Sequence, residues 1–72
     1  MSEKPKIETF VTRTSEVFAT GSGISISATP WGNHEGLSYI INDDKGGMRT
    51  AASMRWEELD VMLAALSMAR AV

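Results

Sequence analysis

His34 is the only histidine in the chain, and with Glu35 beside it this is the first place to look for acid–base chemistry. General acid–base catalysis needs a second group within hydrogen-bond reach. Neighbours in an extended segment point apart, so Glu35 does not supply one, and His34 reads as a surface residue of a loop over Trp31–Gly36. A zinc site would need further imidazoles or thiolates; there is no second histidine and no cysteine. Asn42-Asp43-Asp44 offers oxygen ligands, but a calcium loop spaces its acids and closes on a bidentate Glu. Followed by Gly46-Gly47, the run reads as a hairpin turn. Gly21-Ser22-Gly23 is too short for a phosphate cradle, and no helix follows it. The expectation is a protein without catalytic residues, cofactor or metal.

What remains is contact chemistry. Trp31 lies between Pro30 and Gly32, and Trp is among the residues most enriched at binding hot spots. Trp31, Asn33 and His34 are the candidate contact for a larger protein partner; the competing reading has Trp31 folded back to close one end of the core. For single-stranded nucleic acid the candidates are Arg13, Lys45 and Arg49 on phosphates, with Trp31 or Tyr39 stacking on bases. Clustered cations normally carry such binding. Seven basic residues against nine acidic ones, a net charge of -2, form no cluster along the chain, so nucleic acid is possible but not favoured.

The elements that would position these residues are strands. Residues 1–6 read as a charged, disordered tail, and 7–72 as one domain. Ile7 to Thr12 is strand-like, with β-branched residues alternating. Glu16 to Thr20 forms a second strand or continues the first after a bend. Gly21-Ser22-Gly23 is the clearest turn, and Ile24-Ser25-Ile26-Ser27 alternates as a strand with one dry and one wet face. Pro30, lacking an N–H, ends or edges that strand. Leu37 to Ile41 puts Leu37, Tyr39 and Ile41 on one face. Met48 to Ala52 is the last strand.

Arg55 to Val72 reads as a helix. Leu59, Leu63 and Leu66, with Trp56 one turn ahead, form a stripe expected to face the sheet. Val61, Ala65, Met68 and Val72 form a second apolar stripe. With Arg55 as N-cap, Glu57 and Glu58 fall in the first turn, where the helix dipole favours carboxylates, and Glu58 can reach back to the cap N–H; Ser53 is the alternative cap. The fold class is therefore α+β: an antiparallel sheet of three to four strands with one C-terminal helix packed on one face.

Size bears on the second stripe. A chain this short buries only about 60% of its unfolded surface and has no disulfide to supplement its core. Small domains of this kind gain stability by oligomerising. Val61, Ala65, Met68 and Val72 are the candidate self-association face, and a homodimer is expected. The polar start is no signal peptide, and no apolar run approaches the ~20 residues that span a bilayer. The expectation is a soluble, cytoplasmic protein without a membrane partner.

The run Ile24–Ser27, Trp31-Gly32-Asn33, Leu37–Ile41 and Trp56-Glu57-Glu58-Leu59 resembles the positive-cofactor-four family of transcriptional coactivators. The resemblance implies a strand meander plus helix that dimerises through the helix and meets single-stranded DNA on the sheet. That family's DNA face is rich in Lys and Arg; here Arg13, Lys45, Arg49 and Arg55 are the available cations. Two functions are thus expected in order: a small homo-oligomeric regulator or inhibitor, of phage type, acting by protein–protein contact; and, second, a single-stranded nucleic-acid binder.

Overall fold

The computed structural model describes residues 6–72, so the expected tail lies almost wholly outside the described residues. The chain is α+β: β1 (Glu8–Val11), β2 (Val17–Gly21), β3 (Ile24–Pro30), β4 (Gly36–Asp43), β5 (Met48–Arg55) and α1 (Trp56–Ala71). The strands form one antiparallel sheet in chain order, β1-β2-β3-β4-β5. The fifth strand corrects the expected three to four. Ile7–Thr12 and Glu16–Thr20 are separate because the chain reverses between them. Thr12 N–H donates to the Glu16 carbonyl (2.9 Å) and Ser15 N–H to the Thr12 carbonyl (3.1 Å), with Ser15 in the left-handed region at φ 65°. No glycine marks this turn, which is why the sequence leaves a bend as an alternative.

The other turns follow their residues. Ser22 and Gly23 have φ of 52° and 79°, the paired left-handed geometry of a two-residue hairpin loop. At the β4–β5 turn Asp43 Oδ1 accepts from the N–H groups of Lys45 (2.9 Å) and Gly47 (2.8 Å), while Gly46 takes φ 84°. Pro30 is the last residue of β3, opposite Leu37. There it ends an interior strand where its missing N–H costs least.

Register fixes the two faces, since residues directly opposite share a side and successive residues alternate. Ile26 faces Ile41 and Ala28 faces Tyr39; with Leu37 they make the face beneath the helix. On the other, open face one row crosses the whole sheet: Phe10, Phe18, Ser27, Ile40 and Ala51. A second row, Thr29, Ser38 and Ser53, is all hydroxyl.

The helix starts as the carboxylates require. Arg55 is the N-cap, and its N–H donates to Glu58 Oε1 at 2.8 Å. Glu57 and Glu58 lie in the first turn and Arg70 in the last, both favourable to the dipole. No loop separates β5 from α1. The helix crosses back over the sheet, and Leu59, Met62 and Leu66 line a groove against Ile26, Ala28, Leu37, Tyr39 and Ile41. Met62 thus takes the place expected for Leu63, which is 51% exposed.

The groove is not closed. Among the described residues no hydrophobic side chain is buried, and Leu66 remains 57% exposed although it lines the groove. Gly36 is the one buried residue among those described. The single core expected between sheet and helix is therefore a pair of half-covered surfaces.

Candidate interaction site

Gly36 is buried because Trp31 lies on it. A Cβ there would meet the Met54 carbonyl oxygen, the Trp31 ring at 2.7 Å and Arg55 Cα at 2.9 Å. Trp31 Nε1 donates to Ser38 Oγ (3.0 Å), and Ser38 Oγ shares a hydrogen with Ser53 Oγ (2.7 Å). The indole is thus half-buried on the open face, tied to the hydroxyl row. Of the two readings of Trp31, the ring folds back over one end of the sheet, with part of its surface still outward.

Asn33 and His34 are exposed at the same end. Asn33 Nδ2 donates to Glu35 Oε2 (2.8 Å), and Asn33 Oδ1 accepts from Glu35 N–H (3.0 Å). His34 sits at φ 64°, and its carbonyl accepts from Trp56 Nε1 at 2.8 Å. These residues clamp the β3–β4 loop to the start of α1. Trp56, 36% exposed, serves that clamp through its N–H. Among the described residues no group of three His, Cys, Asp or Glu gathers that could hold a metal ion.

The proposed self-association residues share one stripe and are all outside: Val61 is 71% exposed, Met68 66% and Val72 99%, with Ala65 exposed between them. They lie on the side of α1 turned from the groove, as the spacing from Leu59, Met62 and Leu66 dictates.

The nucleic-acid candidates do not converge. Arg13 is in the β1–β2 turn and Lys45 in the β4–β5 turn, which the meander places at opposite ends of the sheet. Tyr39 lies under the helix, where its hydroxyl donates to Met62 Sδ (3.6 Å). Arg49 is on edge strand β5. Beside Trp31, the open face carries the aromatics Phe10 and Phe18, stacked with ring centroids 5.1 Å apart. No local pattern in the sequence marks this pair. Its signal was in the β1–β2 register, which places Phe10 opposite Phe18 only once the Thr12–Glu16 turn is recognised.

No helix among the described residues is long and apolar enough to cross a membrane. Comparison of the chain with protein-family models, with curated protein sequences and with solved structures found no match.

Proposed function

We propose that this protein is a small non-catalytic binding module that associates with itself and acts by protein–protein contact, as a regulator or inhibitor of a larger partner. One observation carries the reading: the described chain buries no hydrophobic side chain of its own. The molecule exposes 6003 Å², whereas a compact monomer of 7.8 kDa exposes about 4,400 Å². Setting aside about 800 Å² for the five residues outside the described range still leaves an excess of about 800 Å². A standard interface covers about 800 Å² on each partner, so the excess is of the size one such contact removes. The apolar material for it is at hand in the exposed Val61, Leu63, Met68 and Val72 and in Leu66 at the groove.

In this reading one surface meets a second copy and another, at the Trp31, Asn33 and His34 end, meets the larger partner. Light scattering from micromolar to millimolar concentration tests the first part. A mass of at least twice 7.8 kDa is expected, and a single-copy mass throughout refutes it.

The stacked Phe10–Phe18 pair on a hydroxyl-rich face supports a second reading, contact with single-stranded nucleic acid. Fluorescence anisotropy with an oligonucleotide decides it: binding that weakens with salt would place it first, and no binding at low salt removes it.

A further inference from the structure

The edge of β5 carries a more specific inference, which rests on the self-association in the reading above. Trp56 N–H donates to the Glu35 carbonyl at 3.2 Å, and Glu35–Trp56 extends the register in which Gly36 faces Arg55. In an antiparallel ladder bonded and non-bonded pairs alternate. Met54, Ala52 and Thr50 therefore direct their N–H and C=O groups inward to β4. Ala51, Ser53 and Arg55 direct theirs outward, to the free edge of the sheet. The Asp43 N–H to Gly47 carbonyl bond (2.9 Å) fits the same alternation, with the extra residue of β5 taken up at the register shift beside Asn42.

An unpaired strand edge is a template for another strand, and proteins usually block it with Lys, Pro or an inward-pointing charge. The centre of this edge, Thr50-Ala51-Ala52-Ser53, has none of these. The opposite edge, β1, is four residues long against eight for β5. Both Ala51 and Ser53 are exposed.

We propose that a second copy of this chain pairs with the first antiparallel along β5, Ala51 opposite Ala51, to give one continuous ten-stranded sheet. A two-fold axis normal to the sheet keeps each face on its own side, so from Thr50 to Arg55, past the register shift that takes up Arg49, even-numbered residues oppose even-numbered ones. Of the registers that satisfy this, the one centred on Ala51 pairs Thr50 with Ala52 and brings Arg49 towards Ser53. The register centred on Ala52 sets Arg49 against Arg55, and like charges directly opposite are destabilising. Both helices then lie on the same side of the joined sheet. The seam is then β5 in place of the stripe of Val61, Ala65, Met68 and Val72, which stays outside it.

Amide exchange on the intact protein, followed by NMR across a concentration series, tests the pairing together with light scattering. The Ala51 and Ser53 amides are expected to slow at least about tenfold as the dimer forms, while the β1 edge does not change. Ala51→Lys and Ala51→Glu, both at an exposed position, are each expected to be single-copy with unchanged circular dichroism, and a mixture of the two to regain the dimer. Val61→Glu is expected to remain dimeric. A wild-type dimer whose Ala51 and Ser53 amides stay fast overturns the edge pairing and leaves self-association standing, as does a dimer lost in Val61→Glu but kept in Ala51→Lys. A wild-type protein of single-copy mass at every concentration overturns both.

Discussion

Replacing Gly36 by Ala is the sharpest test of how this small sheet is held together. The backbone there is not left-handed, so the substitution carries no conformational penalty and its effect is steric. A methyl group would collide with the Met54 carbonyl oxygen and crowd Arg55 Cα at 2.9 Å and the Trp31 ring at 2.7 Å. Two of these three obstacles are main chain, so β4 and β5 must part or twist. Overpacking of this kind costs about 1–3 kcal/mol. Lifting the indole also breaks the Trp31 Nε1–Ser38 bond, worth about 0.5–1.5 kcal/mol. The expected loss is about 2–4 kcal/mol, which for a domain of this size lowers Tm by about 10–25 °C. Gly32→Ala is the matched control, since a Cβ there meets nothing within 4 Å, and it should change stability by less than about 0.5 kcal/mol. Thermal melts followed by circular dichroism compare the two. If Gly36→Ala melts within a few degrees of Gly32→Ala, the close approach of Trp31 and β5 to Gly36 is wrong. Adding Trp31→Leu to Gly36→Ala should restore only a minor part of the loss, because the indole is the one obstacle it removes.

Three further substitutions probe the turns and the open face. Gly46→Ala forces a Cβ into φ 84° with open space around it; a loss of about 1 kcal/mol in urea unfolding is expected, from backbone strain alone. Asp43→Ala removes the acceptor for the Lys45 and Gly47 N–H groups and should cost about 1–2 kcal/mol, most of it recovered in Asp43→Asn, which keeps the acceptor oxygen. Phe10→Ala should destabilise by about 0.5–1.5 kcal/mol through its stack on Phe18, although Phe10 is 55% exposed; a melt unchanged from wild type would mean the pair does not hold β1 to β2.

Much of the architecture was legible because its signals are local. Alternation in Ile24–Ser27 and Leu37–Ile41 gave strands and their faces, and the Gly- and Asp-rich turns gave two of the hairpins. The carboxylates at Glu57 and Glu58 put the helix start at Arg55 with Ser53 as the alternative, and Arg55 is the N-cap. The Thr12–Glu16 reversal was not decided, since a serine at φ 65° leaves no mark in composition. Met62 displaced Leu63 from the sheet-facing row because helical spacing defines a stripe but not the angle at which a helix settles on a sheet. For the same reason the Trp31 environment could not be chosen in advance: its partner Ser38 is seven residues away and only the hairpin brings it near. Spatial convergence was the least readable property. Arg13 and Lys45 are similar residues in similar turns, and the meander sends them to opposite ends.

Every strand in this sheet bonds to the one before it, and the helix follows the last without a connector. Such a chain closes no large loop on the way to its shape, and short-range wiring of this kind makes for rapid folding. With so little apolar surface hidden in the finished unit, the proposed self-association would make the slow event of its maturation an encounter between copies, paced by how densely the cell supplies them.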